Sequence, residues 1–483
     1  MAYRYVGKNT RPFSAITQNN YGRTIIYTNQ NRIDENNIVI ELNNALVYHT
    51  QNATEIDYLD RYYRGDQPIL YRKKVNRPEV NNKVLVNLAY ELVERKVAGI
   101  CAEPIQYVLR GTDEKKSQEI TQLNAIVDSE DKQDCDIDIC RWRSICGTAY
   151  RFIGNDEGNG RLLDESDFVL SCEDPRYTFV VYHTNGTPAF SCQIRTDEEG
   201  KNLYYCFTNA QYFVIQGGVI IENGINGNGA IPVVEYPNNS RRISDIELTI
   251  VITDSLNILS SDRVNGIEQF ICSFMKFINC EIDATEFAKI KDLGAISVKS
   301  NNGDNRADVD ILSQELNQTE GQVVFDDLYN KFLEIHGLAN RASVNTGGDT
   351  GNAVSLRNGY HESNLREAID EPILKKSERM SLRIILNRLR IKKGFTLLPS
   401  DVEIHINRDK LNNIMTKAEA LKILLESGIH YKRAIRTVSL FNDSDRVAEE
   451  SKARMEYLYP TTGNVSVSKE EIIVDDNKKA EPL

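Results

Sequence analysis

The sequence predicts an α+β chain, on three observations. Residues 148 to 236 hold β-branched and aromatic runs separated by turn residues. Long stretches of helical periodicity lie before and after that block. Two segments with capping signatures bracket a short mixed insert between residues 279 and 317. With 483 residues, 41% of them apolar, the chain can bury several cores, and two to four domains are expected.

Residues 33 to 64 read as a helix ending at Gly65. A second is expected over Asn82 to Ile100, where Val84, Leu85, Leu88, Leu92 and Val97 recur at helical spacing before Pro104. Then "YTFVVYH", "FSCQIR", "LYYCFT" and "YFVIQ", divided by "TNGT", "DEEGK" and "NA", predict an antiparallel meander that "NGINGNGAIPVVEYPNN" closes.

Ser244 and Glu247 form a capping box at the start of a rod over residues 244 to 278. Leu248, Ile252, Leu256, Leu259, Ile267, Phe270, Phe274 and Phe277 give its apolar stripe, and its length comes to about 50 Å. Thr319 with Gln322 opens a second rod, over 318 to 339, with Val324, Leu328, Phe332, Ile335 and Leu338 on one face. Such stripes outrun what one hairpin covers, so the rods call for neighbours, with Leu256 and Phe270 expected at contacts between subunits. A third helix is expected from about Ala353 to Lys393, kinked at Pro372. The strand "DVEIHINRD" follows, then a helical cluster over 415 to 457, then a polar tail expected to be disordered.

Chemistry has few candidates. The loop "LANRASVNTGGDTGNAVSLRNGY" (338 to 360) is glycine-rich, but a phosphate-binding Walker loop needs Lys and a hydroxyl residue after its last glycine and follows a strand. Here Gly351 precedes Asn352 and Ala353, and the loop follows a helix. In "DCDIDICRWRSIC", Asp134, Asp136 and Asp138 lie among three cysteines whose C-x4-C-x5-C spacing fits no common zinc template, so a helix with alternating buried and solvated residues is the better reading. The six histidines sit singly, and neither G-x-S-x-G nor H-E-x-x-H occurs. No enzyme, metal or cofactor is therefore expected. The alternative is a metal-dependent nuclease or transferase using scattered carboxylates.

Nine cysteines, odd in number and set in apolar contexts, suit reduced thiols. No run of eighteen apolar residues and no secretory leader occurs, so a soluble, cytoplasmically made chain without membrane contact is expected. Lys plus Arg is 58 and Asp plus Glu is 70, a net charge of -12, which argues against a tight, sequence-independent grip on phosphates.

From about residue 55 to 457 the chain resembles the portal protein of tailed double-stranded DNA bacteriophages. The resemblance rests on "YLDRYYRGDQPIL", "NNKVLVNLAYELVERKVAGICAEPIQY", "AIPVVEYPNN" followed by "SDIELTIVITDSLNILSSDRVNGIEQF", and "VEIHINRDKLNNIMTKAEALKILLESGIHYKRAI", in that order. It implies a non-enzymatic ring, usually of twelve subunits, at one capsid vertex of the virion, assembled in the host cytoplasm. Double-stranded DNA would pass through it, held weakly and without sequence preference.

The implied partners are the large terminase subunit with its packaging ATPase, a head-completion or adaptor protein, and the major capsid and scaffolding proteins. The implied regions are an N-terminal arm (1–54), wing (55–243), stem helix (244–278), clip (279–317), second stem helix (318–339), tunnel loop (340–352), returning wing (353–410), crown (411–460) and tail (461–483).

Within that scheme Leu248, Ile252, Leu256, Leu259, Phe270, Phe274, Leu328 and Phe332 pack the stem. Arg341, Ser343, Asn345, Thr346, Gly347, Gly348, Asp349, Thr350, Gly351 and Asn352 form the loop that follows the DNA, and Lys331 and Arg341 are candidate basic residues of the channel. Twelve copies would carry a formal -144, twelve times -12, a field that repels a sliding duplex rather than binding it.

Overall fold

A computed structural model describes residues 22–75, 78–111, 113–155, 168–271, 274–278, 308–312, 318–338, 340, 360–406, 414–438 and 444–458. It is mixed helix and sheet throughout.

β1 (Ile26–Thr28) leads into α1 (Ile38–Tyr63), which ends where Gly65 takes a φ of 96°. α2 is Leu88–Cys101. It starts six residues later than Asn82, because the Asn87 side chain caps it by accepting from Tyr90 N at 3.2 Å. Residues 82–86 run outside any helix instead, and the chain turns at Asn87, where Leu88 N donates to Val86 O at 2.9 Å. β2 (Gln106–Leu109), α3 (Glu114–Ser129) and α4 (Lys132–Cys146) follow. α3 is capped by Asp113, which accepts from Lys116 N. α4 carries "DCDIDICRWRSIC" as the helix its pattern predicts.

At its end Gly147 has a φ of 87°, and a Cβ there would stand 2.0 Å from the Arg242 carbonyl oxygen, so only glycine fits. Packing of α2 on α4 joins Cys101 to Cys140 in a disulfide, Cα atoms 6.9 Å apart, which corrects the expectation of thiols throughout. A sequence separation of 39 hides that proximity from the sequence.

Four strands of the meander form as predicted, β5 (Thr178–His183), β6 (Pro188–Thr196), β7 (Asn202–Phe207) and β8 (Gln211–Gln216), and β9 (Val219–Ile225) is a fifth that the sequence reading did not assign. They make a six-stranded sheet in the order β1-β5-β6-β7-β8-β9, with β1 parallel to β5. Alternation decides its faces. Phe179 and Val181 pack with Phe190, Phe213 and α1's Ile38 and Leu42. Val180, between them, turns to Tyr150 and Val233 of a second sheet. That sheet has the order β10-β3-β4, with β3 (Thr148–Asn155), β4 (Phe168–Glu173) and β10 (Val233–Pro237), so the strand in "AIPVVEYPNN" pairs with β3 instead of closing the meander as expected. The largest core unites it with α2, α3, α4 and Leu374, Leu382, Ile385 and Leu389 of the long helix over Tyr360–Lys393.

α5 is Ile250–Ile271, preceded by a 3-10 turn, Ile246–Leu248. The expected rod to residue 278 is thus shorter, about 33 Å. Phe274–Ile278 is instead a strand, β11, antiparallel to β12 (Asp308–Leu312). A run of bulky apolar residues serves either period, and here the pairing partner decides it. α6 is Gln318–His336 and α7 is Tyr360–Lys393 with Pro372 inside it. The beginning expected for α7, 353–359, lies outside the described residues. β13 (Val402–His405) pairs antiparallel with β2, and α8 (Ile414–Glu426), α9 (Tyr431–Val438), α10 (Ser444–Glu450) and α11 (Lys452–Leu458) close the described chain.

Candidate functional site

α5 and α6 form a two-helix rod. At its centre Leu256 (0% exposed) and Phe332 (2%) pack with Leu333 and with Leu88 and Leu92 of α2, flanked by Ile252 and Leu328. Leu256 is therefore buried inside one subunit, not at a contact between subunits, which corrects the sequence expectation. α2 is the third partner that the stripe alone could not reveal. Leu259 is half-buried, and Leu248 is 53% exposed. Phe270 is helical, whereas Phe274 lies on β11 rather than on the rod.

A second stripe of α5 is buried and polar: Thr249, Thr253, Asn257, Ser261 and Asn265 recur every fourth residue, none more than 2% exposed. Buried polar groups need partners. For Asn257, Ser261 and Asn265 the segment before α2 supplies donors, its alternate N–H groups bonding to their side-chain oxygens. Asn82 N reaches Asn265 Oδ1 at 2.7 Å, Val84 N reaches Ser261 Oγ at 2.9 Å, and Val86 N reaches Asn257 Oδ1 at 2.8 Å. Asn257 Nδ2 donates in turn to Gln67 Oε1 at 2.7 Å. Sequence reading missed this ladder. Its signal was the four-residue recurrence of small polar side chains.

The capping box holds in altered form. Ser244 N donates to Glu247 Oε2 at 2.8 Å, and Ser244 Oγ accepts from Ile246 N, so the box caps the 3-10 turn rather than α5 itself. Ser244 Oγ also donates to Ile145 O at 2.6 Å, and Lys96 Nζ bonds Asp245 at 2.7 Å, tying the rod's root to α4 and α2. The second box does not form. Thr319 sits within α6, and Gln322 accepts from Arg263 Nη1 at 2.7 Å and donates to Asp326 at 2.6 Å.

The rod's electrostatics follow burial. Asp254 accepts from Tyr62 Oη at 2.9 Å, and loss of solvent raises its carboxyl pKa to about 6. Loss of solvent likewise lowers His336, which shares a hydrogen bond with Thr249 Oγ1 at 2.8 Å, to about 4. It is a satisfied core histidine.

Below the rod a four-charge cluster fixes α7 to the body. Arg151 Nη1 donates to Glu378 at 2.8 Å, Lys132 Nζ bonds Glu378 at 2.9 Å and Asp136 at 2.6 Å, and Arg151 also pairs with Asp136. All four side chains are at most 4% exposed. Burial opposes ionisation of Glu378, yet Arg151 and Lys132 hold its carboxyl well below the usual range. Two cations facing two anions balance, and the cluster joins α4, β3 and α7.

The rod's outer faces stay apolar in the single subunit: Val251 is 75% exposed, Ile258 44%, Val323 63% and Val324 49%. Exposed Glu320, Asp327 and Glu334 share the α6 face. Lys331 is exposed, with its Nζ 2.8 Å from Glu334. Arg341, Ser343, Asn345, Thr346, Gly347, Gly348, Asp349, Thr350, Gly351 and Asn352 lie outside the described residues. Among the described residues no three His, Cys, Asp or Glu side chains are grouped to hold a metal, and no helix is long and apolar enough to cross a membrane.

A family model described as phage portal protein, SPP1 Gp6-like, matches residues 46–457. No curated protein matches the chain. Among solved structures, the neck of an empty GTA particle computed with C6 symmetry aligns at TM-score 0.44 and 10% identity, over 70% of this chain and 85% of that one. The virion of a native gene transfer agent particle gives 0.43 and 11%, over 77% and 89%. The neck of a native GTA particle computed with C12 symmetry gives 0.43 and 12%, over 72% and 88%.

Proposed function

The chain belongs to the SPP1 Gp6-like family of phage portal proteins, and from that premise we propose that twelve copies form a ring-shaped channel at one capsid vertex of the virion. Double-stranded DNA enters through it during packaging and leaves through it at ejection. The observation that carries the ring is the rod's apolar outer surface. Val251 and Val323 stand in water in one subunit, and neighbouring rods in a closed ring would cover them.

The remaining roles follow from the same premise. The rod is the stem, and the insert at 279–317 is the clip that docks the large terminase subunit and later the head-completion protein. The loop at 340–352 touches the passing duplex. The ring is a passive conduit driven by the terminase's ATPase, and its net -12 per subunit lets DNA slide instead of adhering. Lys331, already paired with Glu334, adds little net attraction to the channel wall.

Native mass spectrometry tests the ring directly. A species near twelve times 54.9 kDa is expected, and a chain that stays monomeric at micromolar concentration sinks the proposal. Deleting Asn345 to Gly351 tests the loop. Rings should still form while packaged DNA per capsid falls, and a wild-type yield and genome length would make the loop a mere connector.

A further inference from the structure

β2 is an open sheet edge. The Arg110 N–H bonds Asp401 O at 2.7 Å, which fixes the phase of its ladder with β13. Gln106 and Val108 therefore turn their backbone groups toward β13, and Tyr107 and Leu109 turn theirs away. Among the described residues no other strand pairs with β2.

Along that open side runs a groove of about 350 Å³, within the ~300–1,000 Å³ range of ligand sites. Its other wall is α3, which contributes Ser117, Thr121, Asn124 and Asp128, and buried Ile105 and Ile120 line it too. Asn124 Nδ2 donates across the groove to Tyr107 O at 3.0 Å, in the place of a neighbouring strand's N–H. The Tyr107 N–H and both backbone groups of Leu109 are left for an occupant. A strand edge facing a helix is a slot for an extended peptide, held by main-chain bonds and selected by alternate side chains.

We propose that the chain's own "NVSVS" segment, residues 464–468, docks here as a third strand beside β2. On a strand Val465 and Val467 share one face, matching Ile105 and Ile120, while Ser466 and Ser468 share the other. The segment has no charge to desolvate and no proline to interrupt the ladder. Lys469 follows it directly, and exposed Asp128 stands at the groove to meet it.

The reach is sufficient. Arg446 of α10 lines the groove, and Leu458, the last described residue, is twelve positions further on, about 18 Å along the two short helices. The five residues 459–463 add about 17 Å when extended.

Hydrogen exchange on the full-length protein and on a chain ending at Pro460 tests the proposal. The Tyr107 and Leu109 amides should exchange at least about tenfold slower in the full chain. A synthetic peptide of residues 461–471 should restore that protection to the shortened chain. Val467→Pro in the full chain should abolish it, because proline cannot donate to the ladder. Thr121→Trp, which fills the groove from outside the core, should make residues 464–468 more accessible to protease in the otherwise unaltered chain. Equal exchange with and without the tail overturns the proposal. Protection that survives truncation also overturns it, since another occupant then holds the edge.

Discussion

Replacing Val251 with Asp separates the rod's two faces. In one subunit the Val251 side chain is 75% exposed, so the change should move stability by no more than about 0.5 kcal/mol. Covered by a neighbour, the new carboxylate would lose its water without gaining a partner. At about 3 kcal/mol per contact, a modest share of the desolvation cost of an unpaired ion, each interface weakens by roughly a hundredfold. A closed ring repeats that loss at every contact.

Leu256 is the control on the opposite face. Fully buried against Phe332 and Leu92, it should lose about 2–5 kcal/mol of subunit stability as Leu256→Ala, while the fraction still folded assembles. Sedimentation velocity reads assembly, and circular dichroism reads folding. Val251→Asp and Val323→Asp are expected to give folded subunits that do not close into rings. Rings of wild-type size from both variants would refute the assignment of this face to subunit contact.

Asn257→Ala orphans the part-buried Val86 N–H and the fully buried Gln67 Oε1, the latter at about 1–3 kcal/mol, so exchange of the Val86 amide should speed up about tenfold or more; unchanged exchange would mean that the ladder stabilises nothing. Asp254 is raised to about 6 by burial, so between an unfolded pKa of 3.8 and that value the native state holds a proton that the unfolded chain has released. The stability this supplies is complete below about 3.8 and gone above about 6. His49 and His336, both lowered to about 4 chiefly by burial, act in the opposite sense, so the informative quantity is a difference between proteins. Asp254→Asn should gain about 2–3 kcal/mol relative to wild type between pH 4 and pH 7, and a difference independent of pH would contradict the burial argument. Lengthening "SNNGDN" (300 to 305) should leave the ring intact and weaken docking of the terminase or the head-completion protein, and normal binding of both in pull-downs would place that turn away from the contact surface.

The sheet was legible because its signals are local. Each strand from β5 to β8 carries its own alternation, and each turn its own Gly, Asn or Asp. α4 was legible for the same reason. What escaped depended on a distant partner. Phe270, Phe274 and Phe277 keep helical spacing, yet β12, some thirty residues later, turns the last two into a strand. Val84 and Val86 look helical until the polar stripe of α5 holds them extended. Thr253, Asn257 and Ser261 went unremarked because no sequence rule sees the backbone that covers them. Glu378 lies 227 residues from Arg151, and nothing local marks either as half of an ion pair. The rod's apolar positions were visible, but not which of them α2 would cover.

The ladder between residues 82–86 and α5 sets two unlike rulers side by side. Two residues of extended chain advance about 6.6 Å, and four residues of helix about 6.0 Å, so the marks nearly coincide and slip by about 0.6 Å at each step. Over the three bonds seen, the slip totals little more than 1 Å, which side-chain rotation absorbs. After about five it would approach 3 Å and the marks would no longer meet, so the run has a natural maximum length. The two stretches are also bound in their tolerance of insertions. One residue added between Asn257 and Asn265, or between Asn82 and Val86, throws the later marks out of step, and only four residues in the helix matched by two in the strand restore it.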